Sequence, residues 1–274
     1  MISQFFTYLH YDFVQDALLA GTLSAVLGAV VGYFVVLRNV GFAAHALGHI
    51  GFAGAVGAGL LGLTPFEGML LLTIGSGVFM GATGDKVHRS DLAIGMVLAT
   101  ALGLGRLFLN FHSDFAGQAI AILFGDIFGV SHTQLIQMLV LAVVSLFALS
   151  LFSRRLLFAS TQPRLAEARG LRLSTLSVSF MVILAIAVSI ASQVVGILLV
   201  FALVIAPAGI ALRVCRTFWS GMICSITLGV VGVWLGILLA CATDWPPTFC
   251  ITALFFIIYA AVEFHARFVR RLDH

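Results

Sequence analysis

Charge is what this chain is shortest of: only 9% of its 274 residues are Asp, Glu, Lys or Arg, and Lys86 is its single lysine. Soluble domains carry about 25% charged residues, so a water-facing globular surface is excluded. Cysteine is scarce as well. Cys215, Cys224, Cys241 and Cys250 lie without Cys-x-x-Cys spacing or companion histidines, which argues against a zinc ribbon or a redox motif and reads as small buried filler. There is no Gly-x-x-x-x-Gly-Lys-Ser/Thr loop, so any ATP-driven work needs another subunit. The net charge of +3 is spread over single residues and short clusters between apolar runs, so no nucleic-acid partner is expected. The N-terminus lacks a basic region and a small-residue cleavage site before its first apolar run, and is read as mature protein.

What the chain has is apolar length: 61% hydrophobic residues, 24 Phe and a mean hydropathy of +1.15. A membrane span needs about 20 apolar residues. That criterion places helices near 17–37, 42–63, 66–84, 91–109, 131–152, 173–192, 195–212, 218–240 and 248–267. The fold expected is all-α: a polytopic membrane helical bundle of eight or nine transmembrane helices, one domain over 1–274. The third and seventh runs are the weakest as full spans, and 115–130 reads as a re-entrant or interfacial piece. Small residues recur four apart at Gly28/Gly32, Gly54/Ala58, Gly77/Gly81 and Gly232/Gly236, a spacing that lets helix backbones approach closely.

Basic residues mark alternate connections: Arg38, Lys86 with Arg89, Arg154 to Arg172, Arg213 with Arg216, and Arg267 to Arg271. By the positive-inside rule these face the cytoplasm, which sets the N-terminus outside and the C-terminus inside. The longest polar stretch, 153–172, falls on that side. Within it Pro163 suits a first helical turn and Gly170 the position just past the end, so a short cytoplasmic helix is expected there. It would lie on anionic lipid or dock into a partner protein. Elsewhere Asp126 reads as a turn residue, Ser131 as a helix cap, and Glu263 as the i+4 partner of Arg267.

One feature breaks the apolar text: His45-Ala-Leu-Gly-His49, two histidines four apart inside a span. Positions i and i+4 share a helix face, so the two imidazoles could bind one ion. His49 lies eleven residues after Arg38, about 16 Å into the membrane, where transporters hold their cargo. Two buried histidines bonded to nearby carbonyls are the plainer alternative. A zinc protease would place Glu between such histidines as general base, whereas this chain has Ala46, which argues against an enzyme. His112 and Asp114, in an expected outer loop, are further candidates for cation contact.

Four stretches in order carry a family resemblance. They are Ala44-His45-Ala-Leu-Gly48-His49; Leu123-Phe-Gly125-Asp126-Ile-Phe-Gly-Val-Ser131; Gln162-Pro-Arg-Leu-Ala-Glu-Ala-Arg-Gly170-Leu; and Val195-Gly196-Ile-Leu-Leu, followed by Pro207-Ala208-Gly-Ile-Ala211. Together they resemble the permease subunit of bacterial metal-ion ABC importers, the ABC-3 group that carries zinc, manganese or iron, over about 17–267. The resemblance implies a homodimer in the inner membrane, cytoplasmic ATPase partners, an extracytoplasmic metal-binding protein and no permanently bound cofactor. It further implies that Pro163, Arg164, Leu165, Ala166, Glu167, Ala168, Arg169 and Gly170 form the coupling helix that meets the ATPase, and that Pro207 breaks a helix near a gate. His45 and His49 inherit the metal-contact role. Members commonly have Asp where this chain has His45, and an all-imidazole set shifts preference from Mn²⁺ toward Zn²⁺, or toward nickel and cobalt, as cargo. Manganese or iron import by the same architecture, a metal-responsive membrane scaffold that does not transport, and an ion-gradient carrier stand as alternatives.

Overall fold

The structure, a computed structural model, describes residues 12–83, 87–111 and 121–272. It consists of α1 (Asp12–Leu37), α2 (Gly41–Gly57, continued by a 3-10 turn at Ala58–Leu61), α3 (Pro65–Thr83), α4 (Val87–Phe111), a 3-10 turn at Ile127–Gly129, α5 (His132–Thr161), α6 (Pro163–Ala168), α7 (Leu173–Val195), α8 (Val200–Val214), α9 (Phe218–Thr243) and α10 (Pro247–Leu272). No strand occurs among the described residues. Among the described residues eight helices are long and apolar enough to cross a membrane, and α8, at 15 residues, is a shorter ninth. The bundle has an inside and an outside: α7 is 72% buried over its most apolar stretch, whereas α4 is only 17% buried. The helices α1, α2 and α7 form the centre, and α4, α5 and α10 show apolar faces to lipid.

Glycine sets the spacing of that centre, and each of the four small-residue pairs lies at a helix crossing. Gly28 and Gly32 of α1 meet the Val204 backbone of α8, and a Cβ at Gly32 would overlap the Val204 carbonyl. Gly54 of α2 faces Gly68 of α3 main chain to main chain, with Ala58 beside them. Gly77 and Gly81 of α3 lie on Met181 and Val178 of α7, and Gly232 and Gly236 of α9 on Phe255 and Ile251 of α10. Among helices surrounded by lipid, association rests on such close van der Waals contact.

Two elements differ from their sequence boundaries. The expected fifth span ends at 152, yet α5 runs on to Thr161, because Leu156 and Ala159 keep an apolar face buried while Arg154 and Arg155 point outward. Hydropathy stops at the first charges, whereas a helix continues while one face stays packed. The connection expected over 153–172 is therefore shorter, and its helix is the six-residue α6. Pro163 opens α6, and Gly170 closes it at φ 78°. The Leu171 N–H donates to the Ala166 carbonyl at 3.1 Å and the Gly170 N–H to Glu167 at 2.8 Å, a Schellman closure.

The expected seventh span, 195–212, starts late. Gly196, at φ 79°, ends α7, and α8 begins only at Val200. Gly125, at φ 80°, lies against Gly196, and a side chain on either would strike the other's main chain. The Ile197 and Leu198 N–H groups donate to the Ile122 and Leu123 carbonyls at 3.3 and 3.2 Å. Beside this crossing the Asp126 carboxylate accepts from the Gly129 N–H at 3.0 Å. Ser131 and Gln134 cap α5 reciprocally, with the Gln134 N–H donating to Ser131 Oγ at 3.3 Å. The turn and cap roles read from sequence are those observed. Glu263 reaches across to Arg213 of α8, while the Arg267 side chain lies outside the described residues.

Candidate functional site

Helix α2 has two unlike sides. Gly51 and Gly54 pack on Met69, Thr73 and Gly68 of α3, Gly57 on Phe108 of α4, and Gly48 on Val200 and the Ile197 carbonyl at the α7–α8 break. On the remaining side, His45 and His49 are only half-buried, between Phe42 and Phe52, although the alanines, glycines and leucine around them are fully covered. Their rings sit one turn apart, with centroids 4.7 Å from each other and planes at 82°. The i, i+4 spacing thus brings both imidazoles to one face.

The neighbour that shapes this face comes from α8. The Phe201 ring stands edge-on to His45, with centroids at 5.7 Å and an interplanar angle of 86°. Phe201 reaches this position because α8 starts late, after the Gly196 break, so its first turn lies beside the middle of α2. A discontinuous helix next to a polar pair at membrane depth is the arrangement in which membrane transporters build ion sites. Pro207 lies buried inside α8 without ending it; the interruption is at Gly196. The helix break expected at Pro207 is not there, and the connection expected at 193–194 falls a few residues later, at Gly196.

Chemically, two neutral imidazoles can supply two nitrogen donors to a divalent ion. No third His, Cys, Asp or Glu joins them among the described residues, so one chain leaves the coordination incomplete. The carboxylates are elsewhere: Asp126 is exposed at the turn, Glu67 bonds Thr64, and Asp16 lies 3.9 Å from His132. His112 and Asp114 lie outside the described residues. A second polar feature, unforeseen from sequence, is a cavity of about 190 Å³ where Asp126, Gln134, Ser192 and Gln193 meet the start of α3.

The segment read as a coupling helix is α6. Ala166 is fully buried against the bundle, whereas Arg164, Leu165, Glu167 and Arg169 are exposed. The Arg169 guanidinium lies 5.3 Å from the Phe158 ring centre, which ties the end of α6 to α5. At the same end of the bundle Arg38 stacks on Phe180 at 5.2 Å. Burial there lowers the Arg38 pKa from its ordinary value, though an arginine stays charged.

Known proteins share this architecture along its length. Residues 10–265 match the ABC 3 transport family. The manganese transport system membrane protein MntC of Listeria monocytogenes is 26% identical over 92% of this chain and 91% of its own. The chelated iron transport system membrane protein YfeD of Yersinia pestis is 30% identical over 90% of this chain and 84% of its own. Among solved structures, PsaBC from Streptococcus pneumoniae in complex with Fab matches with a TM-score of 0.85 at 26% identity, covering 96% of this chain and 95% of that one. A multi-pass helical bundle matched over residues 10–265, the chain belongs to the ABC 3 transport family.

Proposed function

We propose that the chain is the membrane-spanning permease subunit of an ATP-driven importer for a divalent transition-metal ion in the bacterial inner membrane. The observation that carries this is the half-buried His45–His49 pair facing Phe201 at membrane depth, in a chain whose family moves solutes. One chain offers two imidazoles, and a second copy across an axis would raise the set to four, so the reading includes a homodimer with the path between its halves. Two cytoplasmic ATPases would engage α6, whose exposed Leu165 and arginines are presented on a rigid, well-closed turn, and an extracytoplasmic metal-binding protein would deliver the ion.

The all-imidazole set favours Zn²⁺ as cargo, because nitrogen ligands suit borderline ions and leave out the carboxylate that hard Mn²⁺ prefers. Manganese or iron is the second reading, supported by the names of the relatives. The deciding experiment is ATP-dependent uptake of Zn²⁺, Mn²⁺ and Fe²⁺ into proteoliposomes by the assembled complex, for wild type, His45→Ala and His49→Ala. Loss of uptake with ATP hydrolysis intact places both histidines on the path. Undiminished uptake returns them to packing. A wild type that carries Mn²⁺ and ignores Zn²⁺ overturns the zinc reading alone.

A further inference from the structure

Helix α8 is held at both ends by unlike means, and between them it borders empty space. At its start, the turn before Val200 is bonded main chain to main chain with Ile122 and Leu123. At its far end, Arg213 forms an ion pair with Glu263 of α10, and its guanidinium lies 5.1 Å from the Tyr259 ring centre. In between, a cavity of about 640 Å³ opens between α8 and α10, lined by Phe201, Ile205 and Leu212 on one side and by Phe255, Phe256 and Tyr259 on the other. The two helices touch through Phe255 and diverge along the cavity, and the Arg213–Glu263 pair lies at its charged end.

Arg213 is exposed, at 41%, and Glu263 is the more covered partner, at 26%. Removing Arg213 therefore leaves the half-buried carboxylate of Glu263 less well solvated. An Arg213 without its carboxylate has an escape, since its long stem can turn the guanidinium toward headgroups and water. That movement pulls the end of α8 away from α10, and because the helix runs unbroken through Pro207 the displacement is carried along it. The opposite end of α8 carries Phe201 against His45.

We propose that Glu263 is a positioning residue for transport. Through Arg213 it fixes the end of α8, so that Phe201 stays against His45 and the ion is released only when the helix is moved as a unit. This rests on the reading of His45 and His49 as path residues. Disturbing the pair loosens the coupling between hydrolysis and movement rather than the affinity of the site, so the informative quantity is ions carried per ATP hydrolysed.

The test uses the assembled complex in proteoliposomes with Zn²⁺, or with Mn²⁺ if that is the ion wild type carries. It compares Glu263→Gln, Arg213→Gln and the exchanged double variant Arg213→Glu/Glu263→Arg. Each single variant is expected to lower ions per ATP by about fivefold or more with the apparent KM for the ion unchanged, and the exchange to return the ratio to within about twofold of wild type. Wild-type ratios in both single variants overturn the proposal, as does an exchanged variant no better than the singles. Should the single variants not assemble, the exchanged one decides alone: assembled and coupled supports the pairing, whereas absent or uncoupled ends it. His45→Ala is measured alongside. Unchanged uptake there removes the path reading and this inference with it, while loss there beside an unaffected Glu263→Gln overturns the positioning role only.

Discussion

The two sides of α2 are built in opposite ways. One side is glycine against glycine: Gly54 and Gly68 press main chain to main chain, and Gly51 and Gly57 receive Met69 and Phe108. The other holds the half-buried pair of imidazoles with aromatic neighbours. A site that must hold an ion and release it needs ligands that are not packed solid, and ligands that are not packed solid need a backbone that does not move. On the proposed reading, the glycine side fixes the backbone from which the histidines project.

The sharpest way to break that division is to fill the packed side. Gly54→Leu forces a branched side chain into a main-chain contact, and a loss of about 3 kcal/mol or more is expected, enough to remove folded protein from the membrane. Thermal unfolding and yield in detergent check this. Filling or emptying the other side has the opposite profile. His49→Ala is expected to lower metal uptake by about tenfold or more while thermal stability stays within about 1 kcal/mol of wild type, because a half-buried side chain leaves no closed void. Uptake and unfolding measured on the same preparation separate the two sides.

Acid sharpens the contrast without a mutation. An imidazole binds metal only when neutral, so protons compete with the ion for its nitrogens and uptake is expected to decline as the medium is acidified. The glycine side carries no titrating group, so the unfolding temperature should move far less than the uptake rate. An equal fall of both would dissolve the division. The smallest effect is expected at Gly75 of α3, where a Cβ meets nothing within 4 Å. Gly75→Ala should leave uptake unchanged and stability equal or up to about 1 kcal/mol higher, through lost freedom of the unfolded chain and better helix propensity.

The bundle was largely legible because spanning a membrane constrains composition so heavily: nine apolar runs map onto α1–α5 and α7–α10. The helix pairings were not, although the small-residue spacings that make them were visible, since a Gly-x-x-x-Gly pattern does not name its partner. Gly28 and Gly32 could have met any helix; that they meet Val204 depends on the late start of α8. The i, i+4 spacing put the two histidines on one face, as observed, but nothing local to them indicated Phe201, which is 156 residues beyond His45 in sequence and reaches it only because the chain turns at Gly196. The Arg213–Glu263 pair was hidden for the same reason. A nearer candidate, Arg267, lay at helical spacing, and charge pairs between helices leave no periodic trace.

The crossing of Gly125 and Gly196 has a consequence beyond packing. Where two main chains touch with no side chains between them, no rotamer is available to give way, so the direction in which α8 leaves the end of α7 is set by main chain alone and stays the same whatever the side chains around it do.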